Sequence, residues 1–124
     1  MNQVAIGKKY EEAAVLFLEK QGFLVIERNF RCRQGEIDII GFHENCLVFV
    51  EVKYRRNHNR GSAEEAVGLN KQKRICRTSD YFRIRHKKYQ AMQVRYDVVA
   101  LTENEKNIKW YRNAFMYQGN YNSW

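Results

Sequence analysis

Two strand-like runs face each other across four polar residues, and any fold of this chain has to accommodate them. The first is Gly35-Glu36-Ile37-Asp38-Ile39-Ile40. The second runs from Leu47 to Tyr54 and contains Val50-Glu51-Val52-Lys53. Both have the alternation and the β-branched and aromatic content of strands. Between them lies His43-Glu44-Asn45-Cys46. A turn of two or four residues centred between Glu44 and Asn45 pairs positions whose numbers sum to 89. Asp38 then lies opposite Glu51, and Glu36 lies opposite Lys53. Alternation puts all four side chains on one face, with opposed Cβ atoms about 5 Å apart. A slip of one residue would divide Asp38 and Glu51 between the two faces.

Val50 and Val52 occupy the other side of their strand, so the acidic face is expected to look towards solvent or a cleft. Two carboxylates directly opposite repel each other. Lys53 is too far along the strand to neutralise both alone, so a further positive charge is expected between them. Hard carboxylate oxygens suit magnesium, manganese or calcium. Such an ion keeps open positions for water and a phosphate oxygen, and lowers the pKa of the bound water. Lys53 points to the same side and can position that water or stabilise charge on the phosphate. The plainer alternative is a solvated polar face with a Glu36–Lys53 ion pair.

The remaining segments supply an α/β frame. Lys8 to Gln21 reads as a helix, stopped by Gly22, with Ala13, Ala14, Phe17 and Leu18 on one face. Phe23 to Arg31 reads as a strand, and Gln34-Gly35 as a turn. Asn57 to Gly61 reads as a polar loop. A second helix is expected from Ser62, whose Ser-Ala-Glu-Glu spacing is that of a capping box, to about Phe82. A basic loop over Arg83 to Lys88 and strands over Gln93 to Leu101 and Ile108 to Arg112 complete the order α-β-β-β-α-β-β, a mixed sheet flanked by helices. Residues 1–115 are expected to form one domain and 116–124 a loose tail.

Charge narrows the partner. The chain of 124 residues carries a formal net charge of +8. Lys53 to Arg95 holds 13 basic and 3 acidic residues, whereas the remainder is close to balance at −2. A phosphate backbone is the natural counterpart of such a block, with Arg55, Arg56, Lys71, Arg74 and Arg77 as candidate contacts. A solvated basic face is the bland alternative. No apolar run approaches the roughly 20 residues of a bilayer span, and no apolar signal core opens the sequence. Cys32, Cys46 and Cys76 are odd in number and lack CxxC spacing, which fits free thiols in a reducing cytosol. Asp97 is expected to make a structural hydrogen bond or salt bridge. His43, His58 and His86 are expected to be solvated. The aromatic tail residues Phe115, Tyr117, Tyr121 and Trp124 can stack on bases, although a packed or loose end is the simpler reading.

The Gly35-Glu36-Ile37-Asp38 run, the twelve residues that separate Asp38 from Glu51, and Glu51-Val52-Lys53 together resemble the PD-(D/E)xK signature of restriction-endonuclease-like nucleases. Ile37 stands where that signature has Pro. More closely, the chain resembles the YraN-like family of small endonuclease-like proteins, related in fold to archaeal Holliday-junction resolvases. The similarity runs from about Gly7 to Phe115. It takes in Glu11, Ala14 and Leu18, then Asn29 and Arg31, then Gly61 and Lys71. It ends with Arg95-Tyr96-Asp97-Val98-Val99 and Asn113-Ala114-Phe115. The resemblance implies Asp38, Glu51 and the Val52 carbonyl as metal ligands, Lys53 as the catalytic lysine, and Glu11 approaching the same site from the first helix. The resemblance does not establish what the family acts on; with the basic block, the leading expectation is a Mg2+- or Mn2+-dependent endonuclease acting on DNA, branched or single-stranded, and a homodimer is allowed. The competing expectations are a nucleic-acid-binding module of the same fold without turnover, and a protein-interaction adaptor.

Overall fold

The hairpin folds in the expected register. In the computed structural model, which describes residues 3–55, 67–102 and 107–119 (for 3, 4 and 55 the backbone only), Ile39 pairs with Val50 and His43 with Cys46. Both numbers in each pair sum to 89. The loop is the two-residue kind, with Glu44 at φ +49° and Asn45 at φ +66°. Two successive left-handed residues make a type I′ turn, whose twist matches that of the strands.

This hairpin is the centre of a five-stranded sheet. Its strands are β1 (Leu24–Cys32), β2 (Gly35–His43), β3 (Cys46–Arg55), β4 (Gln93–Thr102) and β5 (Ile108–Tyr111). They lie in sequence order, and every pair is antiparallel except β3–β4. A parallel pair needs a crossover, and helix α2 (Leu69–Arg85) lies within it. Helix α1 (Gln3–Lys20) precedes the sheet. The mixed sheet, its two helices and their order are those expected. No helix among the described residues is long and apolar enough to cross a membrane.

Two cores result, one on each face. Tyr10, Ala14, Val15 and Leu18 of α1 pack on Ile39, Val48, Val50, Val99 and Leu101. Val67 and the α2 residues Ile75, Cys76 and Phe82 pack on Ile40, Leu47, Phe49, Tyr96 and Val98. The face carrying Glu51 was expected, from Val50 and Val52, to look towards solvent or a cleft; instead α2 covers it. Central strands of a sheet with helices on both sides are apolar on both faces. The alternation itself breaks beside Asp38, because Ile37 joins the α2-side core and Ile39 the α1-side core.

Element ends differ locally from the sequence reading. Helix α1 begins five residues earlier and closes with Phe23 N–H on Leu18 O (3.0 Å) and Gly22 N–H on Glu19 O (3.2 Å). Gly22 at φ +90° makes this possible. The β1–β2 turn is Arg33-Gln34, with Gly35 already in β2. The second helix does not run through from Ser62. Val67 and Gly68 are not helical, and the extended Gly68 is the N-cap of α2. The capping-box residues 62–65 and the 57–61 loop lie outside the described residues. Helix α2 takes in Arg83 to Arg85, and Lys87–Tyr89 forms a 3-10 turn, so the expected basic loop is mostly helical. In the tail, Tyr117 donates to Asp80 Oδ2 (2.6 Å) and Gln118 N–H to Cys76 Sγ (3.2 Å), which ties residues 117 and 118 to α2. Residues 120–124 lie outside the described ones.

Candidate functional site

The β2–β3 ladder stops at Ile39–Val50, whereas β3 stays paired with β4 as far as Arg55–Thr102. A fork opens where β2 leaves β3, and Asp38 sits in it. Its Oδ2 accepts the Val52 N–H at 2.7 Å, in place of a ladder bond. The N–H and C=O of one strand residue point to the same side, so the Val52 carbonyl is turned towards the same fork.

Glu51 is next to Asp38, near enough for its charge to act on the Asp38 carboxyl. Burial, and then the Glu51 charge, push the Asp38 pKa up to about 8, against the pull of the Val52 N–H. Glu51 is only 6% exposed. Its counter-charge is Lys71, from the first turn of α2, with Nζ 2.5 Å from Oε2. Lys53, two residues along β3, is in contact with Lys71. Burial and the Lys71 ammonium hold the Lys53 pKa below its usual value. Burial also pulls on Lys71, but its bond to Glu51 outweighs this and raises its pKa.

On the α1 side the fork opens into a cleft of about 340 Å³, lined by Glu11, Asn29, Arg31, Glu36, Asp38 and Val52, among others. Glu11 Oε1 accepts from Asn29 Nδ2 at 2.8 Å and from Arg28 Nη2 at 3.1 Å. Asn29 is left-handed, at φ +53°, a conformation Asn tolerates better than most residues. Glu36 is paired with Arg31 of β1, not with Lys53.

The donor set fits a hard divalent cation. It comprises two adjoining carboxylates and a carbonyl oxygen, and one carboxylate already carries an ammonium as a stand-in positive charge. Among the described residues, no group of three or more His, Cys, Asp and Glu side chains gathers to hold a metal. Such an ion would therefore depend on water for most of its ligands, as magnesium commonly does.

Comparison with known proteins gives the lineage. Residues 10–101 match the model of a family described as "Uncharacterised protein family UPF0102". The chain belongs to the UPF0102 family. A UPF0102 protein of Caldicellulosiruptor saccharolyticus is 44% identical over 93% of this chain and all of its own length. One from Lachnoclostridium phytofermentans is 41% identical over 93% of this chain and 96% of its own. One from Desulforapulum autotrophicum is 45% identical over 89% and 92%. UPF0102 is the YraN family, so the resemblance read from the short motifs is shown. Glu11, Asp38, Glu51, Lys53 and Lys71 all fall inside the matched UPF0102 segment.

The structure thus brings Asp38, Glu51, Lys53, Val52 and Glu11 to one end of the sheet. It moves Lys71 out of the expected set of surface contacts and onto Glu51. Sequence reasoning missed this pairing because the expected helix passed through Val67-Gly68, which misjudged where α2 starts. Gly68 was the available signal. Arg74 and Arg77 are exposed on α2, as is Lys73. The Arg55 side chain, Arg56 and His58 lie outside the described residues.

Asp97 is structural, as expected. It is fully buried and accepts from Arg95 Nη2 (2.9 Å), Trp110 Nε1 (2.8 Å) and Asn113 N–H (2.9 Å). His43 is not solvated. It is 5% exposed, stacked near Phe23, edge-on to Trp110, and bonded to Arg95 Nη2 at 3.0 Å. Burial, and then the Arg95 charge, lower its pKa. His86 stacks on Phe82 and bonds its carbonyl through Nδ1.

Proposed function

We propose that this chain is a nuclease that hydrolyses phosphodiester bonds in DNA with a magnesium- or manganese-type ion held by Asp38, Glu51 and the Val52 carbonyl. One observation carries the reading. The Val52 N–H fixes Asp38 beside Glu51 in the fork, with a lysine two residues further along the same strand. The ion would polarise a phosphate oxygen and lower the pKa of a water bound to it.

The chain's own residues do the rest. The Val52 N–H sets the rotamer of Asp38, as bonds behind a ligand commonly do. Lys53 places an ammonium where charge develops on the reacting phosphate. Arg28 and Asn29 hold Glu11 at the rim of the cleft, where it can orient water. The exposed Lys73, Arg74 and Arg77 of α2 offer contacts to the phosphate backbone. A second reading, a DNA-binding module without turnover, draws support from Lys71, which already balances Glu51 without any metal.

A nuclease panel separates the two. Duplex, single-stranded, flap and four-way-junction DNA are incubated with manganese or magnesium, with Asp38→Ala as control. Cleavage by the parent and none by Asp38→Ala is expected. Binding without cleavage under every condition would favour the second reading.

A further inference from the structure

We propose that Lys71 is a displaceable internal counter-ion, which occupies Glu51 in the cation-free protein and has to leave that carboxylate when a divalent cation is bound there. This rests on the reading of Asp38 and Glu51 as metal ligands.

The argument begins with solvation. Glu51 is 6% exposed, so water does little to stabilise its charge, and an unpaired buried carboxylate is costly. The Lys71 ammonium at 2.5 Å supplies what water cannot. It engages Oε2, one of the two oxygens with which Glu51 could hold a cation shared with Asp38. An ammonium has three donors and no lone pair, so it cannot join a coordination shell. It can only compete with one.

Charge balance points the same way. Asp38 and Glu51 stand near Lys53 and Lys71, two acids beside two bases, with Lys71 on Glu51. Once both carboxylates are ionised to hold a divalent ion, the two ammoniums already match them, and the ion leaves the group over-neutralised by two charges in a half-buried place. Expelling one lysine relieves the excess. Lys53 extends from the paired part of β3, where it lies opposite Ala100 of β4. The Lys71 side chain is 38% exposed and lies in the first turn of α2. Its flexible four-carbon stem can carry the ammonium into water without unpacking the helix. Lys71 is therefore the group that leaves, and its release returns a basic side chain to the face of α2 that carries Lys73, Arg74 and Arg77.

Manganese titration by calorimetry tests this in the parent, Lys71→Gln, Lys71→Arg and Asp38→Asn, with melting curves to establish that each variant folds. Lys71→Gln removes the competitor and should bind manganese several-fold more tightly than the parent. Lys71→Arg keeps the charge and should show no such gain. Equal or weaker binding by a folded Lys71→Gln overturns the proposal while leaving the metal site standing. A parent that binds no manganese, or an Asp38→Asn that binds it as well as the parent, removes the metal reading itself. A measurement without substitution covers the case in which Lys71→Gln fails to fold. The Lys71 Nζ–H resonances, slowed in exchange by the pair with Glu51, should disappear on saturation with magnesium. Their persistence in the magnesium-bound protein overturns the proposal.

Discussion

Asp38 carries two burdens: it is half-buried, and its neighbour is another acid. Its folded pKa of about 8 lies well above the usual carboxylate value near 4. A raised folded pKa stabilises the protein below the unfolded pKa, and that contribution is lost as pH rises through the folded value. Metal-free protein should therefore lose thermal stability as pH rises from about 4 to 8, and Asp38→Asn should flatten that part of the profile. Melting curves in chelator across this range check the slope. Asp97 has the opposite character, with every partner inside the fold. Asp97→Ala leaves the Arg95 guanidinium, 12% exposed, without its carboxylate. It should cost about 3–5 kcal/mol, the usual result of breaking a buried pair from one side, measured by denaturant unfolding. The sequence distinguished these two acids well. The alternating strand placed Asp38 opposite Glu51, and the apolar neighbours of Asp97 pointed to an interior partner. The role of His43 was not legible, because its burial depends on Phe23 and Trp110, which are distant in sequence.

At the scale of elements, the hairpin from Ile39–Val50 to His43–Cys46 was legible because its register depends on a local turn, whereas the fork beyond it, which leaves Asp38–Glu51 and Glu36–Lys53 outside the ladder, was not. The start of α2 was not. The capping-box pattern at Ser62 pointed to an earlier start than Gly68, and only the folded backbone, extended at Gly68, shows which residue caps α2. The covering of the Glu51 face is likewise a tertiary fact, since one strand's alternation does not reveal that helices lie on both sides. Glycine 41 illustrates a further constraint of this kind. A Cβ there would lie 2.2 Å from Leu24 O and 2.3 Å from the Phe23 ring. The β1 backbone passes this close beside an irregularity between Val25 and Glu27. Gly41→Ala should destabilise the fold by about 1–3 kcal/mol or more, as overpacking does, with a lowered melting temperature as the readout.

Across the whole molecule, the candidate site lies where the sheet forks, within reach of α1 on one side and α2 on the other. The excess positive charge visible in the sequence from Lys53 to Arg95 is carried in good part by α2, which begins beside that fork. Replacing Lys73, Arg74 and Arg77 together with Gln should weaken DNA binding and reduce the slope of affinity against salt, since each lost phosphate contact removes about one unit of slope. Unchanged affinity and slope would exclude this face. The central claim is that the site acts on the transition state of phosphodiester hydrolysis, and Lys53 tests it most directly. One lysine among 22 basic residues adds little to ground-state binding, whereas a charge at the reacting phosphate stabilises what forms only in the reaction. The decisive measurement is single-turnover cleavage in manganese by the parent and Lys53→Ala, beside DNA affinity in calcium. The account predicts that Lys53→Ala loses cleavage by at least about 100-fold, the scale of one lost electrostatic donor, and keeps its DNA affinity and melting temperature. Cleavage by Lys53→Ala at the parental rate would contradict it.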